Sequence, residues 1–253
     1  MDADGLSQLV GMSQNLGVPE RDYVILGEGN TSARADAATF WVKGSGCELR
    51  TITAKDFVRV AFDRALALLE RDSPGDQVVK EALTAAKTDP EAKATPSVET
   101  LVHALCLNLD GVNFVGHTHP TAVNALTCSV AFEKAFNGRL FPDEIVVCGP
   151  APLLLPYADP GVPLARKLQH MLAAYLDRHG TGPRVVLMQN HGLIALGRSA
   201  AQVESITAMM VKTARILLGT FAAGGPRFML TQDVDRIHGR PDEIFRRGQL
   251  GVD

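Results

Sequence analysis

The chain has 253 residues, 46% of them hydrophobic, and a formal net charge of −3 at pH 7. That length and apolar content fit one large domain with a substantial core, and the absence of any Lys/Arg run argues against a nucleic-acid-binding stripe. No apolar stretch reaches the ~18 residues of a membrane span, and Met1-Asp2-Ala3-Asp4 lacks the basic and apolar regions of a signal peptide.

In chain order, a first helix is expected over 7–16, ending at Gly17-Val18-Pro19. The turn Gly27-Glu28-Gly29-Asn30 leads into a short strand, and a polar turn near Asp36 separates it from a hairpin partner, Thr39-Phe40-Trp41-Val42-Lys43. Residues 62–87 read as helical, interrupted near Ser73-Pro74-Gly75. A loop with two X-Pro steps precedes a helix over 97–109. Strands are expected at 113–118, 144–147 and 185–189, and helices at 122–128, 163–178 and 199–221. Beyond Gly224-Gly225-Pro226 the charged tail reads as a surface arm. No repeat or linker divides the chain, so residues 1–253 are read as one α/β domain, with a core over about 5–222 and an arm over 223–253.

His117-Thr118-His119 is the most informative motif. At i, i+2 on a strand the two imidazoles project from one face, their backbones roughly 6–7 Å apart, and one divalent ion can bridge them. Such a pair can also be merely hydrogen-bonded. His191, beside Gly192 at the break between two apolar runs, could supply a third ligand from a tight turn. Three protein ligands with an open position is the pattern of a catalytic zinc. The other four histidines (His103, His170, His179 and His238) call for no special role.

Three segments could cradle an anion with backbone N–H groups, hydroxyls and a lysine: Gly29-Asn30-Thr31-Ser32, Lys43-Gly44-Ser45-Gly46 and Pro96-Ser97. Glycine-rich turns also commonly just turn, and neither a dinucleotide fingerprint nor a Walker motif is present. Glu99 falls in the first turn of its helix, with Ser97 as cap; that is ordinary helix-dipole chemistry, or the placement of an acid/base. His103 lies one turn further along the same face, where it could orient the carboxylate or make only an incidental i, i+4 contact. Cys47, Cys106, Cys128 and Cys148 are widely spaced and read as buried thiols of a reducing cytoplasm.

The ordered set Gly-Asn-x-Ser, Lys-x-Ser-Gly, Pro-Ser-x-Glu, His-x-His-Pro, Asn-His-Gly-Leu resembles the class II aldolase/adducin family over about residues 5–222. The resemblance implies a three-layer α/β/α domain with a mainly antiparallel central sheet, in a homotetramer with interfacial active sites. It implies His117, His119 and His191 as zinc ligands, with manganese or cobalt as alternatives, and Glu99 as the acid/base. It further implies Gly29, Asn30, Ser45, Gly46 and Ser97 at the substrate phosphate, with Lys43 where the epimerase branch has a lysine. The wording of Trp41-Val42-Lys43-Gly44-Ser45-Gly46 and Phe141-Pro142-Asp143-Glu144 is most similar to the aldolase half of bifunctional rhamnulose-phosphate aldolase/short-chain dehydrogenases. This chain ends before a dehydrogenase half would begin, so a free-standing aldolase-type domain is expected.

Two departures from the pattern matter. Val98 stands where aldolases commonly have a second phosphate serine. The family's tyrosine proton donor has no counterpart in place, which leaves Glu144, Asp143 or Tyr157 as second acid/base. The expected activity is cleavage of a carbon–carbon bond beside a carbonyl, in a small ketose phosphate or similar hydroxylated molecule, through a zinc-stabilised enediolate. Epimerisation, dehydration or decarboxylation on the same metal are the alternatives. An adducin-like interaction module is disfavoured because that branch does not keep the histidines.

Overall fold

The computed structural model describes residues 3–72 and 74–250. Helix α1 (Ala3–Leu16) buries Leu9, Met12 and Leu16, a stripe at helical spacing. Strands β1 (Asn30–Arg34) and β2 (Thr39–Lys43) pair antiparallel around the expected turn, where Asp36 Oδ1 accepts the Ala38 and Thr39 N–H groups. Strand β3 (Phe57–Ala61) follows and pairs with β2; it runs straight into α2 (Phe62–Leu66), and α3 (Asp76–Ala85) follows. The helical stretch expected over 62–87 is thus two helices and a 3-10 turn, and Ser73, in the expected interruption, lies outside the described residues.

Next come α4 (Thr100–Leu107), β4 (Phe114–Thr118), α5 (Thr121–Thr127), α6 (Phe132–Ala135) and α7 (Pro142–Cys148). The strand expected over 144–147 is therefore a helix. Pro142 occupies its first turn together with Asp143 and Glu144, a proline and two acids that favour a helix N-terminus over a strand. The chain continues through β5 (Leu153–Leu155), α8 (Val162–His179), β6 (Val185–Met188), β7 (Gly192–Gly197) and α9 (Ala200–Ala222). The tail forms α10 (Thr231–Gly239) and α11 (Pro241–Leu250), not a bare arm; Val234 and Ile237 pack on Ile145 and Val146 of α7.

The seven strands form one sheet in the order β3-β2-β1-β4-β7-β6-β5, antiparallel except where β5 meets β6. Alternation along the strands divides the core into two layers. Val115, Val186, Ile194 and Leu196 face α2, α3, α4 and α8. Phe114, Val185, Leu187, Leu193 and Ala195 face α1, α5, α7 and α9. This is the expected α/β/α sandwich with a mainly antiparallel sheet. Among the described residues no helix is long and apolar enough to cross a membrane.

Candidate metal centre

The sheet register assembles the histidines. On β4, His117 lies opposite Ile194 and shares a face with Val115, so its ring enters the layer that holds α4. It is 2% exposed, and its Nδ1–H donates to the Leu193 carbonyl at 3.0 Å, which turns the Nε2 lone pair away from the backbone. His119 follows the end of β4, its N–H bonded to the Tyr23 carbonyl. His191 sits in the tight connection between β6 and β7. There Asn190 takes a left-handed φ of 56°, which Asn tolerates, and Asn124 Nδ2 donates to the His191 carbonyl at 3.0 Å.

The three rings meet edge to face, their centroids 4.7, 4.9 and 5.2 Å apart. One nitrogen from each falls within 4.8 Å of the others, and the His117 and His119 Nε2 atoms are 2.9 Å apart. Three imidazole nitrogens facing a common point suit a divalent transition metal. Gly192 permits the approach: a Cβ there would stand 2.6 Å from the Thr118 oxygen and 2.7 Å from His119 Cδ2. In Gly192→Ala, metal affinity measured by chelator competition is expected to fall about 10- to 100-fold; unchanged affinity would show that the packing is slack.

Glu99 completes the cluster. It precedes α4 as its N-cap residue, so the helix begins three residues later than expected, and its N–H bonds Ser97 Oγ at 3.3 Å. The carboxylate lies 3.1 Å from His191 Nε2 and 3.5 Å from His117 Nε2, and accepts a 2.7 Å bond from Asn30 Nδ2. His103, which the sequence left between orienting Glu99 directly and an incidental contact, is fully buried between Asn30 Oδ1 and Ser32 Oγ. Its position four residues after Glu99 was the signal available, but only the register of β1 against β4 reveals the partners.

Burial lowers the pKa of His117, His119 and His103 each to about 4, with the neighbouring imidazoles adding to the effect on His119. The rings are neutral at pH 7 and their lone pairs are available. Burial opposes the charge on Glu99, but His117, His191 and Asn30 outweigh it and hold the carboxyl well below the usual range. Unfolded imidazoles take up protons from near 6.5, the folded ones only near 4, so metal-free stability is lost as pH falls across that window. The urea midpoint of the metal-free protein should be lower at about pH 5 than at about pH 7.5; equal midpoints would contradict the neutral, buried assignment.

The three glycine- and serine-rich segments converge beside this cluster. Gly44 bridges Pro96, Ser45 N–H bonds the Thr95 carbonyl at 2.8 Å, and Lys43 Nζ reaches the Gly27 carbonyl at 3.2 Å. Lys43 is 3% exposed, and burial lowers its pKa while Cys47 and Glu99 pull it back. Gly29 has φ +69°, and a Cβ there would stand 2.7 Å from the His117 carbonyl, so β1 packs this close only with glycine. Val98 points its side chain outward, 56% exposed. A cleft of about 350 Å³ opens at His119, lined by Asp22, Ile25, Glu28 and Asn124. A larger one of about 410 Å³, near Gly138 and Tyr175, includes none of these groups.

Glu144 and the Tyr157 hydroxyl spend their side-chain bonds away from this cluster. Glu144 is buried on α7, one oxygen on Arg139 Nη1 and the other on Leu140 N–H, both at 2.8 Å. Arg139 also holds the Cys148 and Gly149 carbonyls, so the pair staples α7 to its neighbouring turns. Glu144→Ala would strand a buried guanidinium, and urea unfolding should register a loss of about 3–5 kcal/mol; a loss below about 0.5 kcal/mol, the range of neutral surface substitutions, would refute the staple. Asp143 is half-buried in the first turn of the same helix. Tyr157 is 50% exposed and its hydroxyl bonds Asp159 at 2.9 Å.

Comparison with known proteins agrees with this geometry. The model of the class II aldolase and adducin N-terminal domain matches residues 8–218. A Bacillus subtilis (strain 168) protein described as uncharacterized oxidoreductase YuxG is 29% identical over 218 residues, 83% of this chain. The chain spans only 29% of that relative's length. Among solved structures, the N-terminal class II aldolase domain of a conserved protein from Thermoplasma acidophilum is 26% identical with a TM-score of 0.66, covering 86% of this chain and 95% of that one. An L-fuculose 1-phosphate aldolase, at 18% identity, superposes with a TM-score of 0.70 over 97% of this chain and 98% of its own, a likeness of fold.

Proposed function

The chain belongs to the class II aldolase and adducin N-terminal domain family, and from that premise we propose that it is a metal-dependent carbon–carbon lyase of the aldolase type. Its substrate is a ketose phosphate or a similar hydroxylated carbonyl compound. One observation carries the reading: a buried, ionised carboxylate, Glu99, lies against His117 and His191, whose ring nitrogens gather with that of His119 at one point. His117, His119 and His191 would hold the ion; zinc suits three nitrogen donors, with manganese or cobalt as alternatives. When bound, the ion supplies Lewis acidity at the substrate's carbonyl oxygen.

Glu99 takes or returns the proton at the carbon beside that carbonyl, and Asn30 Nδ2 keeps its oxygen oriented. Gly29, Asn30, Lys43, Ser45, Gly46 and Ser97 bind the substrate anion. Val98 in place of a second hydroxyl makes that cradle weaker toward phosphate, so a carboxylate is the competing anion. Lys43 favours a second reading on the same residues, sugar-phosphate 4-epimerisation, because a buried ammonium beside Glu99 places positive charge where the substrate would turn. Ile25, beside His119, and Val98, next to Glu99, are exposed apolar residues, which supports subunits meeting at the site, as in a homotetramer with interfacial active sites. Four free cysteines fit a reducing cytoplasm.

Product analysis of the zinc-loaded protein with a panel of sugar phosphates and unphosphorylated hydroxy acids tests the reading. An aldehyde plus a smaller ketone supports it. An unfragmented epimer or released carbon dioxide selects an alternative, and no turnover of any of them counts against lyase chemistry.

A further inference from the structure

Behind Glu99 lies a buried line of polar groups that the proton transfer does not itself use. His103 is fully buried, its Nε2 against Asn30 Oδ1 and its Nδ1 2.6 Å from Ser32 Oγ. Asn30 in turn gives Nδ2 to Glu99 Oε2 at 2.7 Å. Hydrogen-bond chemistry fixes every direction in this line. An ionised carboxylate only accepts, so the Asn30 amide must face it with nitrogen. Asn30 Oδ1 then faces the imidazole, which must donate from Nε2. A neutral ring protonated there has a lone pair on Nδ1, and the Ser32 hydroxyl fills it. The order Ser32 to His103 to Asn30 to Glu99 is therefore the self-consistent one.

We propose that His103 is a positioning residue: with Ser32 behind it, it locks the Asn30 amide with its N–H groups on the Glu99 side. Without the lock, the amide can rotate half a turn and set Oδ1 against the carboxylate. That repels Glu99 from its place beside the imidazoles and removes an N–H donor from the substrate side. Because the line is buried, a lost donor leaves a costly unpaired group. The inference rests on the reading of Glu99 as the group that moves the proton, and it adds a residue two bonds removed from that step.

Two substitutions at one position separate orientation from mere packing. In His103→Gln the side-chain amide nitrogen falls near the former Nε2 and still donates to Asn30. In His103→Asn the shorter amide reaches toward Ser32 only. A purely structural imidazole would make both variants lose about equally. The full-length zinc-loaded protein, both variants and Ser32→Ala, which deletes one oxygen and little packing, are compared in two measurements.

The first is the rate of deuterium exchange at the carbon beside the carbonyl of dihydroxyacetone phosphate, a ketone-phosphate probe. The rate constant in His103→Asn should fall about 10- to 100-fold at nearly unchanged KM and metal content, and His103→Gln should recover most of it. Ser32→Ala should move in the same direction as His103→Asn. The second is the side-chain amide NMR signal of Asn30, shifted downfield by the carboxylate, which should persist in His103→Gln and vanish in His103→Asn. An Asn30 signal indifferent to both His103 variants overturns the proposal. So do equal rate losses in the Gln and Asn variants. If wild-type protein catalyses no exchange while the Asn30 signal still follows His103, the lyase reading fails and the positioning role stands.

Discussion

Replacing Glu99 by glutamine should leave the metal bound and slow turnover about 10²- to 10⁴-fold, the usual contribution of a positioned acid/base. Glutamine keeps the volume and one oxygen, so the Asn30 bond survives and the three imidazoles lose no ligand atom of their own. What disappears is the capacity to accept a proton. The wild-type carboxyl is nine-tenths buried yet held ionised, because His117, His191 and Asn30 outweigh the cost of burial. It is therefore ionised and able to accept a proton across the neutral range, while a bound cation would hold it ionised more firmly and make it a weaker base. The check is steady-state kinetics beside metal analysis on the same preparations. A glutamine variant with full activity would remove Glu99 from the chemistry. One that has lost its metal would make Glu99 mainly a ligand.

Replacing His117 by alanine should abolish stoichiometric metal and lower activity by about 10³-fold or more, since Lewis-acid stabilisation is worth several kcal/mol. His117 is the most buried of the three, 2% exposed, and the one whose tautomer is fixed by a backbone carbonyl. The vacancy cannot be refilled by His103, whose two nitrogens are committed to Asn30 and Ser32. Metal content by mass spectrometry and rates at saturating zinc decide it. Activity restored to near the wild-type level by excess zinc would mean that two imidazoles hold the ion well enough alone.

Much of this architecture could be read from local chemistry. The hairpin of β1 and β2 announced itself through Asp36 and the β-branched and aromatic run after it, and the long helices through their apolar spacing. The errors have local causes too. Glu144 to Val147 looked like a strand because three β-branched residues follow one another, but burial on all sides and the acids at Pro142's turn make it a helix. Strand β3 runs straight into α2 with no turn signal between them, and β5 is only three residues long. The tail's charged composition hid one small apolar face, on which Val234 and Ile237 find a partner in α7.

The site divides in the same way. His117, His119, His191 and Glu99 stood out by type and spacing, and the fold brings them into one cluster. His103 stayed open between orienting Glu99 and an incidental contact, because a histidine inside an apolar helix shows its partners only once the strand opposite is known to carry Asn30 and Ser32. Glu144 stood out as a donor candidate, but an acid near the expected donor position tells nothing of Arg139, five residues earlier, which takes its carboxylate. Pairings between distant segments depend on sheet register, and register is a property of the whole sheet.

The most direct test is anomalous diffraction at the zinc edge from crystals of the protein grown with zinc. A single strong peak at about 2.0–2.2 Å from one ring nitrogen each of His117, His119 and His191 is the predicted result. No peak between those three rings, with the ion bound elsewhere or not at all, would contradict it.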